Sequence, residues 1–248
     1  MCTLSFIPKS TGYLIGMNRD ERVSREKAVS PQIFAFGKLE AVHPREPGGG
    51  TWIGANELGI TFALLNQNSL AKMPKLRSRG EIIPSLLACQ DLSQVIARMA
   101  ELDLYGILPF RLVAFLPAAR TVLQWSWDSP TLRGMKLPWR TRHWFSSGIS
   151  ELAQEIRGRT CHDAWRQRNA GSMEWLRGVH ASHAPVRGSF SVCVHRPDAA
   201  SMSYTEIEYH PQELIMRYHA SHPCQALGRF DSEITLPPRF TARMCAAS

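Results

Sequence analysis

The 248-residue chain carries a formal charge of +8, with 44% hydrophobic and 20% charged residues. That balance is of a folded globular protein rather than a disordered one, and the length suits one large domain or two small ones. No apolar run nears the ~20 residues of a membrane-spanning helix, and the N-terminus lacks the basic start and apolar stretch of a secretory signal, so a cytoplasmic protein is expected.

Cys2 follows the initiator Met1 and opens an alternating segment, Cys2–Ile7, in which Cys2, Leu4 and Phe6 share one face. Removal of Met1 would leave one residue with both a thiol (pKa ~8.5) and a free α-amine (pKa ~7.7–8.0). A nucleophile that carries its own base is one scheme for acyl transfer. Equally, Cys2 reads as a small apolar residue that begins a strand. Ser10-Thr11-Gly12 marks a turn into the apolar run Tyr13–Met17, which predicts an antiparallel hairpin. Its second strand returns Asn18-Arg19-Asp20-Glu21 to the chain start, with Asp20 able to approach the Cys2 amine. Alternation pairs Asn18 with Asp20 on one face and Arg19 with Glu21 on the other. The carboxylate would orient the amine, and the arginine would lower the thiol pKa or hold an anionic group. A salt-bridged, solubilised strand end is the other reading of the same four residues. Alternation alone does not fix which of Arg19 and Asp20 faces Cys2.

Pro47-Gly48-Gly49-Gly50-Thr51-Trp52 follows. Its glycines would let backbone N–H groups approach an anion, or would only make a tight turn. Gly49, Gly50 and Trp52 join Asn18 as candidate ligand-binding residues. Thr51–Gly54 and Ile60–Leu65 form a second predicted hairpin around Asn56-Glu57-Leu58-Gly59, and Asn66 and Asn68 at its end are candidate oxyanion donors. Helical stripes follow at Ile82–Leu87 and Leu92–Met99, the second opened by Asp91 with Gln94 three residues on. Strands resume at Phe110–Leu116 and Thr121–Trp127. Helix returns from Ile149 to Trp165, with a break expected near Gly158, and the last strands are Phe190–His195, Ser203–Tyr209 and Leu214–Tyr218. One domain over residues 1–220 is expected, with residues 221–248 as a poorly ordered tail. The order strands, helices, strands, helices, strands suits an α+β fold, a four-layer αββα sandwich of two antiparallel sheets. No G-x-G-x-x-G or P-loop follows any strand.

Six cysteines, at positions 2, 89, 161, 193, 224 and 245, contain no C-x-x-C pair, so free thiols are expected. Cys161-His162-Asp163 and His180-x-x-His183 are the local metal-type clusters, and neither has ligand-rich spacing. No metal and no cofactor are expected. Basic residues crowd Arg133–Arg142 and Arg157–Arg168 among Trp139, Trp144 and Trp165. A solvated arginine-rich face explains them, and nucleic acid is not expected as a partner.

Met1-Cys2-Thr3, Asn-Arg-Asp-Glu at 18–21, Gly-Gly-Gly-Thr-Trp-x-Gly at 48–54 and Ala-Leu-Leu-Asn at 63–66 together resemble the NRDE family, which includes the Transport and Golgi organisation protein 2 homologues. Trp144-Phe145-Ser146-Ser147 and Ser191-Val192-Cys193-Val194 match more loosely. The resemblance implies an N-terminal nucleophile hydrolase fold, close to choloylglycine hydrolases and penicillin V acylases. It makes Cys2 the catalytic nucleophile and its α-amine the base, with Asp20 orienting the amine, Arg19 lining the site and Asn66 binding the oxyanion. Gly148 and Met202 stand where the family pattern has an Asn and an Arg. The activity implied is hydrolysis or transfer of an acyl group at the C–N bond of a small amide. The alternative is a non-catalytic protein that handles haem or acyl-CoA on the same scaffold.

Overall fold

The computed structural model describes residues 2–67, 77–146, 150–226 and 228–237. The expected first hairpin is present as β1 (Cys2–Lys9) and β2 (Gly12–Arg22), with Cys2 opposite Arg19 and Phe6 opposite Ile15. Gly12 is required where β2 meets a neighbouring strand, because a Cβ there would lie 1.9 Å from the Tyr209 carbonyl oxygen. β2 lies between β1 and β11 (Ala199–His210) in a six-stranded antiparallel sheet completed by β10 (Arg142–Ser146), β12 (Glu213–His219) and β13 (Ser232–Leu236), in the order β10-β1-β2-β11-β12-β13. The second sheet runs in chain order through β3 (Val29–Phe36), β4 (Leu39–Arg45), β5 (Ile53–Asn56), β6 (Thr61–Asn66), β7 (Phe110–Leu116), β8 (Thr121–Trp127) and β9 (Leu132–Pro138).

The two sheets face each other across a core that contains Leu4, Phe6, Tyr13, Ile15, Met17, Leu65, Val113 and Phe115. Tyr13 ties the layers together: its hydroxyl lies 2.6 Å from both the Gly59 carbonyl and Thr61 Oγ1. A second apolar cluster joins the outer face of the seven-stranded sheet to α1 (Ile82–Leu86) and α2 (Leu92–Glu101). A third joins the outer face of the six-stranded sheet to α4 (Met173–Ala181) and to Cys161 of α3 (Glu151–Ala164). The layers are therefore helix, sheet, sheet, helix, as expected. Asp91 caps α2 by accepting from Gln94 N at 2.9 Å, and Gln94 Oε1 in turn accepts from Gln90 N.

Three expectations are corrected. α3 runs through Gly158 without a break, since one glycine costs a helix only ~1 kcal/mol and the flanking turns are packed. Phe190–His195 is not a regular strand: its ladder pairing is limited to isolated bridges, Gly188 to Val194 and His195 to Ala200, with further bonds from Asn18 Nδ2 to the Val192 carbonyl and from Cys193 N to the Ser182 carbonyl, and the regular strand begins at Ala199. Residues 232–236, placed in the tail, form the edge strand β13 on β12. That strand is too short to show an apolar period, and only Leu236 is fully covered. Residues 238–248 lie outside the described residues, as do Asn68 and Gly148. No helix among the described residues is long and apolar enough to cross a membrane.

Candidate active site

Cys2 opens β1 at the mouth of the inter-sheet space. Because directly opposed residues of an antiparallel pair share a face, its side chain and that of Arg19 point the same way, toward the second sheet. Asn18 and Asp20 point the other way, toward the α3/α4 layer. Register thus decides what alternation left open: Arg19 shares the face of the thiol, while Asp20 lies behind it.

Behind the strand, the carboxylate of Asp20 is fully buried. Ser201 Oγ donates to Asp20 Oδ1 at 2.6 Å, and Arg157 Nη1 lies 3.8 Å from Oδ2. Burial pushes the Asp20 carboxyl pKa up, and the Arg157 charge and the Ser201 bond pull it back. Arg157, itself without exposed surface, also donates to the Ser146 carbonyl at 3.3 Å and the Ser189 carbonyl at 2.7 Å. Sequence reading missed this residue, because an arginine among polar neighbours on a weakly amphipathic helix looks solvated. Ser146, opposite Cys2 on β10, accepts from the Cys2 backbone nitrogen through Oγ at 2.7 Å. Cys2 is thus fixed on both sides, by β2 and by β10.

In front of the strand lies a narrow cleft of about 60 Å³, lined in part by Cys2, Arg19, Glu46, Trp52, Asn66 and Arg79. The guanidinium of Arg19 lies 4.6 Å over the Trp52 ring and 2.8 Å from Glu46 Oε1. Arg25 bonds the other Glu46 oxygen at 2.6 Å and approaches Glu21 at 3.2 Å. Two cations and two carboxylates therefore neutralise one another at the rim, and Arg19 is engaged before any anionic substrate arrives. Arg79 differs: it donates to the Pro109 carbonyl at 3.0 Å, and no carboxylate among the described residues lies within 4.0 Å of it. Ser78 and Glu81 hold Arg79 in place with a reciprocal capping box around the turn Arg79–Glu81. The sequence signal was present as Ser-x-x-Glu before the apolar run Ile82-Ile83.

The structure separates the remaining site candidates. Asn66, at the end of β6, and Trp52 both line the cleft. Asn18 does not reach the cleft. Its Nδ2 donates to the His180 and Val192 carbonyls, and its Oδ1 lies 2.9 Å from His180 Nδ1, so it fastens β2 to the helical layer. Gly49 and Gly50 also lie outside the cleft lining. Gly49 turns the chain at φ +86°, and a Cβ on Gly50 would meet the Gly80 backbone at 2.9 Å. Here the glycines bring two loops together, with Thr51 N bonded to the Gly80 carbonyl. Met202 sits at a bulge in β11 between Ser201 and Ser203, beside Arg19.

Burial is the largest influence on the Cys2 thiol and raises its pKa, which the N-terminal ammonium charge opposes most, followed by the Asp20 backbone N–H and the Arg19 charge. A raised pKa leaves the thiol protonated at neutral pH. In the chain that still carries Met1, site-resolved alkylation of Cys2 by iodoacetamide should therefore be slow near neutrality and climb through the alkaline range; a plateau reached below pH ~7 in that form would contradict this electrostatic picture.

The family model for Transport and Golgi organisation 2 matches residues 1–146, more than half of the chain. The chain belongs to that family. Among solved structures it is similar to penicillin V acylase from Agrobacterium tumefaciens, at 12% identity and TM-score 0.51 over 89% of this chain and 83% of that one. It is likewise similar to a mutant of conjugated bile acid hydrolase from Clostridium perfringens, at 12% identity and TM-score 0.56 over 96% of this chain and 92% of that one. The shared feature is the αββα fold of N-terminal nucleophile hydrolases. No sequence among curated proteins is significantly similar to this one.

Proposed function

We propose that this Transport and Golgi organisation 2 family member is an amidohydrolase, cleaving the C–N bond of a small acyl amide with Cys2 as nucleophile. The observation that carries the reading is the placement of Cys2: its side chain faces a polar cleft, its nitrogen is held by Ser146, and the buried Asp20–Arg157 pair lies directly behind it. With Met1 removed, the nitrogen at Ser146 becomes an α-amine. The thiol gives its proton to that amine as sulfur attacks the carbonyl carbon, and the tetrahedral intermediate expels the substrate nitrogen, which takes the proton. Water then attacks the thioester, releasing the carboxylic acid and restoring the thiol. Asn66 and Arg79 are the cleft donors for the developing oxyanion or for an anionic end of the substrate, and Arg19 positions Trp52 and Glu46. Asp20 and Ser146 hold the amine.

A small amide is preferred to haem because the cleft is narrow and its lining around Cys2 is charged and polar, with Arg19, Glu46, Asn66 and Arg79, where an apolar macrocycle would need apolar walls. The solved relatives are named for penicillin V and conjugated bile acids, so these belong in a test panel with N-acyl amino acids. The experiment is release of free amine from that panel by the mature protein and by Arg79→Ala. The expected result is turnover of at least one amide, with KM or kcat worsened on the order of 10–100-fold in the variant. Mature protein lacking Met1 that releases no amine from any member would count against the reading.

A further inference from the structure

Away from the cleft, four side chains from three separate parts of the chain converge. His183 lies two residues beyond α4, Cys193 and His195 occupy the irregular segment before β11, and Cys224 belongs to α5 (Pro223–Ala226). One donor atom from each falls within 4.8 Å of all the others. His195 Nε2 lies 3.4 Å from Cys193 Sγ and 3.6 Å from Cys224 Sγ. A tetrahedral ion with Zn–S ~2.3 Å and Zn–N ~2.0–2.1 Å requires sulfur–nitrogen separations of about 3.6 Å; both His195 contacts match it, and the 4.8 Å limit on the other pairs leaves only a small closure around an ion. His183 Nε2 is buried and has no hydrogen-bond partner, a cost that a bound cation would remove.

We propose that His183, Cys193, His195 and Cys224 bind one Zn²⁺ ion in a closed, structural Cys₂His₂ site. Two thiolates and two neutral imidazoles balance the charge of a divalent ion, and sulfur with nitrogen in a tetrahedron suits zinc over magnesium or calcium. An iron–sulfur cluster would hold its cysteine and histidine ligands on different irons, whereas here all four donors surround one point. Binding through His195 Nε2 puts the ring proton on Nδ1, so the present 3.3 Å contact from Arg187 Nη2 to that atom opens when the ion binds. His222, whose ring centroid is 4.5 Å from that of His195, stays outside the set and reaches the Ser201 carbonyl at 2.8 Å through Nδ1.

The site would fasten the segment 183–195, which has isolated bridges in place of a continuous strand ladder, to α5. It also supports the candidate active site. Val194, between two of the ligands, donates its N–H to Ser201 Oγ at 2.9 Å, and that hydroxyl donates to Asp20. The proposal does not depend on the amidase reading.

Metal analysis of the full chain, produced in zinc-replete medium and purified under reducing conditions without chelator, tests it. About one zinc per chain is expected, falling at least ~10-fold in the Cys193→Ser/Cys224→Ser double variant and unchanged in Cys89→Ser. Should the double variant fail to fold, Co²⁺ exchanged into the wild-type protein decides. Tetrahedral thiolate ligation gives intense visible d–d bands together with a sulfur-to-metal charge-transfer band. Zinc far below one per chain with no such Co²⁺ spectrum, zinc retained by a folded double variant, or a Cys193–Cys224 disulfide in the reduced preparation would each overturn the proposal.

Discussion

Cys2→Ala is expected to lose amide hydrolysis by on the order of 10⁴-fold or more, because removing a covalent nucleophile leaves only binding and oxyanion stabilisation. The same change should barely affect the fold. It deletes a single sulfur from a residue at the end of a strand whose pairing with β2 and β10 is through backbone. Thermal unfolding of the variant should therefore stay close to that of the wild type, which separates a chemical effect from a structural one. Cys2→Ser keeps a nucleophile of the same geometry and should fall between the two. Full activity in a folded Cys2→Ala protein would mean that the cleft works without the thiol.

Arg157→Met carries the largest expected effect on stability, about 3–5 kcal/mol. The guanidinium faces Asp20 where neither side chain has exposed surface, and it also serves the Ser146 and Ser189 carbonyls. Methionine fills similar volume but leaves a buried carboxylate without its cation. Adding Asp20→Asn should recover part of the loss, since the second change removes the stranded charge while Ser201 can still donate to the amide oxygen. Urea unfolding of the three variants measures this. A cost below ~1 kcal/mol for Arg157→Met would show that water reaches the pair and that Asp20 is not held by it.

The parts of the fold legible in the sequence are those where one face of a strand is core and the turn is marked. β1 and β2 alternate cleanly around Ser10-Thr11-Gly12, and β7 and β8 are joined through a short turn at Pro117. β3 and β4 are less legible because β3 is an edge strand whose positions are exposed or half-covered except Pro31, and a register shift between Val29 and Gln32 disturbs the period. In the site, Cys2 and the 18–21 segment are visible because they are close in sequence. Yet β2 is buried on both faces, so alternation separates Asn18 and Asp20 from Arg19 without saying which side holds the cleft. Only the opposition of Cys2 to Arg19 decides it. Arg157, Ser146 and Ser201 reach the site from elements more than a hundred residues away, and no local spacing links them to Cys2. The same holds for His183, Cys193, His195 and Cys224, whose relation exists only after α4, β11 and α5 have packed.

The central claim is that Cys2 is a terminal nucleophile that forms a thioester with substrate. Intact-mass analysis of the purified protein, before and after rapid quenching with a turned-over acyl amide, tests it most directly. A mature chain that begins at Cys2 is expected, with a transient mass increase equal to the acyl group, mapped to that residue and missing in Cys2→Ala. A chain that retains Met1, or an acyl adduct mapped to any other residue, would contradict it.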